Sequence, residues 1–264
     1  MPANGTARPS ESGAVAHAIV EGFAGVEFGV SYVLDEALHH HLARVRRLRS
    51  SESITVSNGA GLWQLFRVGE DFGNSAQIWP DGVPISVEPP TWHIVVGIAL
   101  SKGEKPELAV QKLTELGVDH ISLFHGERSI ARWDDQKVHR NLDRLRVVAK
   151  EAVQQSRSVF APTVSWSEDL AGFGRWVGES YPGTGFWRAD QLGEPLRGSP
   201  QLPGQSVRDA CAVAIGPEGG WSDAERSQGR AAALARDVLR AETAAIVAAA
   251  LLSAARSSLL PNIG

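Results

Sequence analysis

Two short stretches near the C-terminus carry residue types at a spacing on which chemistry can be built. The first is Ala214-Ile215-Gly216-Pro217-Glu218-Gly219-Gly220-Trp221-Ser222. Its three glycines tolerate positive φ and the close approach of another group, and Pro217 stiffens the turn between them. Ser222 with Glu225 three residues on is the pattern of a capping box, so a helix is expected to open there. The apolar run 210–215 is too short for a helix and reads as a buried strand. Strand, glycine turn and helix start together present unpaired backbone N–H groups at the carboxyl end of a strand, where α/β sheets bind small ligands. On spacing alone, a tight turn without a ligand fits equally well. The second stretch, Leu239-Arg240-Ala241-Glu242-Thr243-Ala244, repeats the plan with a cation and a carboxylate at the turn. Its bland alternative is a loop with Arg240 in solvent.

Other constellations narrow the chemistry. Ser101-Lys102-Gly103-Glu104-Lys105 and Glu127-Arg128-Ser129-Ile130, with Arg132, put basic residues just after strands. They either meet phosphate or solubilise the chain. Neither contains G-x-G-x-x-G or G-x-x-x-x-G-K-[ST], so a dinucleotide fingerprint and a P-loop are unsupported. There is no G-x-S-x-G elbow, and the single cysteine, Cys211, falls inside the apolar run, so nucleophilic hydrolysis is poorly supported. His39-His40-His41 are adjacent and do not share a helix face, so no metal is expected. Arg44-Val45-Arg46-Arg47-Leu48-Arg49 packs four arginines into six residues, either a solvated helix end or a contact for polyanions.

These residues need a frame. The 264 residues are 43% hydrophobic and 21% charged, which is the balance of a globular chain with a substantial core. The net charge of −4 gives no global hint of a nucleic-acid partner. The first residues have neither a basic nor a long apolar stretch, and the longest apolar run, 244–252, is too short to span a bilayer. With one cysteine no internal disulfide can form, and a cytoplasmic chain without membrane attachment is expected.

Up to about residue 88 the signals are mainly β, with strands expected at 32–34, 54–56, 62–68, 76–79 and 84–87, a helix over 35–48 and a turn at Asn58-Gly59. They suggest a small barrel. Glu88-Pro89-Pro90 marks a domain boundary, giving domains 1–88 and 91–264. Beyond it strands (92–100, 120–124, 185–187, 210–215, 237–239) alternate with helices (104–116, 134–157, 222–235, 242–257). The region including 170–176 reads as irregular and 191–205 as a long surface loop. Such alternation predicts a mostly parallel α/β sheet.

Taken together, Ile215-Gly-Pro-Glu-Gly-Gly220, Leu239-Arg-Ala-Glu-Thr-Ala244, Ser101-Lys-Gly-Glu-Lys105, Gln111-Lys-Leu-Thr-Glu-Leu-Gly117, Glu127-Arg-Ser129, the 151–157 stretch and His40-His41-Leu42 with Val45-Arg46 resemble the RsmE family. These are 16S ribosomal RNA uridine-N3 methyltransferases of the SPOUT superfamily. The resemblance covers nearly the whole chain from about residue 30. It implies an N-terminal PUA-like RNA-binding barrel and a C-terminal α/β domain with a deep trefoil knot. It also implies a homodimer acting on 16S rRNA in the 30S subunit with S-adenosyl-L-methionine as cofactor.

Carried onto this sequence, the cofactor residues are Phe186, Trp187, Ile215, Gly216, Glu218, Gly219, Gly220, Leu234, Leu239, Arg240, Thr243 and Ala244, with Phe186-Trp187-Arg188 expected as a wall of the pocket. Arg240 is the candidate for stabilising charge on the base, and Glu242 or Glu218 for accepting a proton, or for capping and bracing. Arg44, Arg46, Arg49, Lys102, Lys105, Arg128 and Arg157 become RNA contacts, with Arg47 beside them. The sequence departs from the family pattern at Ala235, Asp237, Ala241 and Ser158. The alternatives are a SPOUT methyltransferase for another RNA position and a non-catalytic RNA-binding protein.

Overall fold

The structure, a computed structural model, describes residues 8–196 and 210–257. The chain divides into two compact units, Met1–Pro89 with Val153–Ala161, and Pro90–Ala152 with Pro162–Gly264.

The first unit contains β1 (Ala16–Ile19), β2 (Tyr32–Val33), α1 (Glu36–His40), β3 (Ser53–Ser57), β4 (Leu62–Val68), β5 (Gln77–Pro80) and β6 (Ile85–Ser86). They form one mixed sheet in the order β1-β3-β4-β5-β2, with β6 on β4. β1 runs parallel to β3 and the other pairs are antiparallel. The path ends at β1 and β2, so the described residues form no closed barrel. The turn at Asn58 is as expected: its side-chain oxygen accepts from the Ala60 and Leu62 N–H groups, and Gly59 has a φ of 72°. The helix expected over 35–48 is shorter. Asp35 caps α1 through the Leu38 N–H, and the helix then widens into one π turn, His41–Val45. Ile54, Val56, Phe66 and Ile78 fill the core of this unit. Buried His17 in β1 is held between the Thr55 and Ser57 hydroxyls, 2.7 and 3.1 Å from its ring nitrogens.

The second unit alternates β7 (His93–Ala99), α2 (Lys105–Glu115), β8 (His120–Phe124), α3 (Asp135–Ser156), β9 (Thr163–Ser167), α4 (Leu170–Ser180), β10 (Phe186–Pro195), β11 (Ala210–Ile215), α5 (Asp223–Arg226), β12 (Arg230–Ala233) and α6 (Ala241–Arg256). All six strands are parallel, in the order β12-β10-β11-β7-β8-β9. Both faces are covered, which is why the strands read as continuous apolar runs. Ile94, Val96 and Ile98 of β7 with Cys211, Val213 and Ile215 of β11 pack on α2, α3 and α6. The alternate residues Val95, Ala99, Ala210, Ala212 and Ala214 pack with Phe173 and Val177 of α4. Burial pushes the Cys211 thiol up to about 12, an inert side chain.

Four expectations are corrected here. The region around 170–176 is a regular helix, α4, and β9 precedes it. Its glycines disguise it, yet a side chain at Gly174 would come within 2.6 Å of the Phe186 ring. The helix expected over 222–235 is a single turn followed by β12, whose alanines are held extended by pairing to β10. No strand forms at 237–239; the segment after β12 is a series of bends. Finally β10 runs on to Pro195, so the loop expected from 191 begins later, and its remainder lies mostly outside the described residues.

Candidate functional site

The strand order reverses between β11 and β7. Beside that point, at the carboxyl end of β11 and the middle of β10, the second unit holds a cavity of about 600 Å³. Three segments wall it: the turn 215–221 after β11, the bends 234–241 leading into α6, and residues 189–192 of β10. The two C-terminal turns singled out by their spacing therefore meet in one place.

Each wall has a local cause. The turn after β11 is held by the capping box: Ser222 Oγ accepts from Glu225 N–H (3.1 Å), and Glu225 accepts from Ser222 N–H (2.8 Å). The other Glu225 oxygen accepts from Glu127 N–H at 2.9 Å, tying the loop after β8 to the same turn. Gly216 lies flat on the Trp221 ring, where a Cβ would sit 2.8 Å from the indole. Trp221 in turn donates from Nε1 to the Ala189 carbonyl at 2.8 Å, locking turn to strand.

The β10 wall is a bulge. Pairing with β12 jumps from Ala189 to Glu194, and residues 190–193 leave the ladder. Gly193 permits this because a Cβ there would meet the β12 backbone at 2.4 Å. Asp190, nearly buried, pairs with Arg226 at 2.8 Å and Arg188 at 3.6 Å, and buried Arg188 donates to the carbonyls of Arg226 and Gln228. Leu192, Leu234, Val238, Leu239 and Ala244 supply apolar surface, with backbone polar groups between them.

Ile215, Gly216, Glu218, Gly220, Leu234, Leu239, Arg240 and Ala244 line the cavity. Gly219 and Thr243 do not: Gly219 turns to Arg128, whose carbonyl would be 3.0 Å from a Cβ, and Thr243 is exposed on α6. Phe186 and Trp187 line a separate cavity, bordered also by Gly174, Cys211 and Arg230. The reason is the length of β10: the part that reaches the site is its middle, 189–192, at the bulge. Ala189, Asp190, Gln191 and Leu192 are not among the expected site residues, nor are Trp221, Arg226 and Val238; Gly193 is the one sequence mark of the bulge. Of the departures from the family pattern, Ala235, Asp237 and Ala241 all line the cavity.

Charge gathers at the rim. Arg240 is exposed and lines the cavity at the N-terminus of α6. Lys105, the first residue of α2, donates to Glu218 at 2.5 Å and lies 3.8 Å from Glu242. That hydrogen bond holds the Glu218 carboxyl below its usual range, with Lys102 acting in the same direction, and the same contact raises the Lys105 ammonium. Lys105 is thus engaged within the protein, whereas Lys102 and Arg128 are exposed on the loops beside the turn. In the first unit Arg44, Arg46, Arg47 and Arg49 are exposed. Arg46 reaches Gln155 at 3.5 Å, and Arg157 sits two residues on, at a φ of 56° past the end of α3.

Comparison with known proteins gives a consistent result. Residues 87–253 match the model of an RNA methyltransferase domain. The chain is 31% identical over 233 residues to ribosomal RNA small subunit methyltransferase E of Synechocystis, covering 84% of this chain and 72% of that protein. It is 27% identical to the Bacillus subtilis protein of the same name, covering 81% and 86%. With the Mycobacterium bovis protein of that name it shares 34% identity over 140 residues, about half the length of each (52%). Among solved structures, a methyltransferase from Legionella pneumophila in complex with bound SAM is similar at a TM-score of 0.73 and 25% identity, covering 91% and 96%. The Neisseria gonorrhoeae ribosomal RNA small subunit methyltransferase E shares the fold at a TM-score of 0.73 and 22% identity, covering 94% and 99%.

Proposed function

We propose a function from one premise: this chain belongs to the RsmE family of RNA methyltransferases. The protein methylates N3 of a uridine in the decoding region of 16S ribosomal RNA, using S-adenosyl-L-methionine. The observation that carries this reading is the convergence of the 215–221 turn and the 234–241 bends on one cavity at the carboxyl end of β11. The cavity fits the cofactor. Its volume of about 600 Å³ is in the range of small-molecule sites, and its walls are apolar with exposed backbone at a turn where Gly216 admits no side chain. Ile215, Gly216, Gly220, Leu234, Leu239 and Ala244 would hold it. When bound, the cofactor supplies a methyl group activated on a sulfonium.

The remaining work falls to the chain itself. The uracil N3 proton must leave, so the base carries negative charge as the reaction proceeds. Arg240 at the rim offsets that charge, and Glu218, which lines the cavity, is the carboxylate at hand to take the proton, while Glu242, expected beside it in that role, does not line the cavity. N3 lies on the pairing edge, so the uridine must be unpaired or flipped out. Lys102, Arg128, Arg157 and the arginines 44, 46 and 49 serve the RNA backbone.

On the same reading, residues 1–88 are a PUA-like RNA-binding domain and 91–264 a SPOUT domain. The insertion of β11 between β10 and β7 supports a trefoil knot. The enzyme works in the cytoplasm as a homodimer on the 30S subunit. A methyl-transfer assay with labelled cofactor on 30S subunits, followed by mapping of the product, tests this. Label at one uridine N3 is expected; label at another atom or position, or none, overturns it.

A further inference from the structure

Three charged side chains meet beside the cavity, Glu218 from the turn after β11, Lys105 from the start of α2 and Glu242 from the start of α6, and they are not equivalent. Glu218 lines the cavity with 41% of its side chain exposed. Glu242 is 13% exposed, and its Oε2 is buried with no hydrogen-bond partner among the described residues. A buried carboxylate oxygen left in that state is costly, and a donor that reaches it is strongly favoured. Lys105 is that donor. Its ammonium sits on Glu218 at 2.5 Å and 3.8 Å from the Glu242 oxygen, so a swing of its flexible four-carbon stem that carries the ammonium onto Glu242 and out of reach of Glu218 exchanges one hydrogen bond for the other.

We propose that Lys105 is a positioning residue with two seats, on Glu218 before the RNA base enters and on Glu242 afterwards, and that Glu218 accepts the N3 proton. This rests on the methyl-transfer reading above. Seated on Glu218, Lys105 keeps that carboxylate ionised and a poor base, with Lys102 adding to the effect. Seated on Glu242, it releases Glu218 at the cavity wall, while Arg240 stays beside the rim. Glu242 is shut away from the base and provides the fixed charge that draws Lys105 aside. In the step itself the N3 proton passes to a Glu218 oxygen. The electron pair left on N3 forms the bond to the methyl carbon as the sulfur–methyl bond breaks. The protonated Glu218 then loses its proton to water.

Two measurements on the full-length chain test this. The first is a carbon-13 carboxyl NMR titration of Glu218 without ligands. Its midpoint is expected to rise by about one unit in Lys105→Met and to stay low in Lys105→Arg; an unmoved midpoint in Lys105→Met overturns the seat on Glu218. The second is methyl transfer to 30S subunits across pH. Glu218→Gln is expected to lower kcat by about 100-fold. Glu242→Gln is expected to lower kcat by about 10-fold with KM unchanged, and to add nothing in a Lys105→Met background. Equal effects of Glu242→Gln in both backgrounds overturn the two-seat arrangement. So does a Lys105→Met variant that loses only RNA affinity and salt dependence. Wild-type protein that methylates no RNA defeats the functional reading instead, and the titration still decides the seat of Lys105.

Discussion

At the scale of single residues, the site depends on atoms that are absent as much as on those present. Gly216 has no Cβ because the Trp221 ring occupies that space, and Trp221 is pinned by its bond to Ala189. Gly216→Ala must displace the indole or the turn. Overpacking of this kind costs about 1–3 kcal/mol, equivalent to roughly a 5- to 150-fold loss of cofactor affinity if all of it falls on the loop. Calorimetry with S-adenosylmethionine checks this, and unchanged affinity contradicts the placement of the turn. The residue types at 216–220 and 239–244 were legible because rigid, flexible and charged residues crowd into turns between apolar runs. What was not legible is direction. Gly219 looks equivalent to Gly216 in sequence, yet it turns its back to the cavity and faces Arg128. Lys105 looks like a free cation and is held by Glu218.

At the scale of elements, the one-turn helix α5 is small but ties the turn after β11 to the loop after β8 through Glu225. Ser222→Ala removes one cap and is expected to cost about 1 kcal/mol. Glu225→Ala leaves the buried Ser222 N–H and the part-buried Glu127 N–H without their acceptor, and is expected to cost about 2–4 kcal/mol and to loosen the cavity wall. Urea unfolding of the two variants measures the difference, and equal costs contradict a cross-loop role for Glu225. Sequence showed β4, β8 and β11 with their observed limits, because their apolar or alternating runs are bounded by turn residues. It failed at α5 and β12, where a capping box announces the start of a helix and only Gly229, at a φ of 63°, marks its end. Ala231 and Ala232 have little strand preference of their own; β10 imposes it. β1 went unseen for the same reason, as Ala16-His17-Ala18 becomes a strand only through β3.

At the scale of the whole molecule, each unit carries a buried histidine held neutral. Burial pushes His17 in the first unit and His120 in the second down to about 4 from an ordinary 6.5. Above pH 6.5 both folded and unfolded forms are neutral and nothing changes. Between 6.5 and 4 the unfolded chain binds protons that the folded one refuses, so stability falls with pH, by up to about 3 kcal/mol per histidine. Thermal melting at pH 7 and pH 4.5 should show this loss, and His17→Gln should reduce it in the first unit; an unchanged slope removes His17 as the cause. The arginines of the first unit predict a second division of labour. Replacing Arg46 and Arg49 with alanine is expected to weaken RNA binding and flatten its salt dependence while cofactor affinity stays constant. Binding titrations at several salt concentrations check it. The parallel sheet was legible from alternation, whereas its strand order, the open sheet of the first unit and the β10 bulge depend on pairings between distant residues that no local pattern encodes. The most direct test of the function is mass spectrometry of 16S rRNA from a strain lacking this protein, complemented with the wild-type chain or with Arg240→Ala. Loss of 3-methyluridine, restored by the wild type and not by Arg240→Ala, is the expected result; 3-methyluridine that persists without the protein contradicts it.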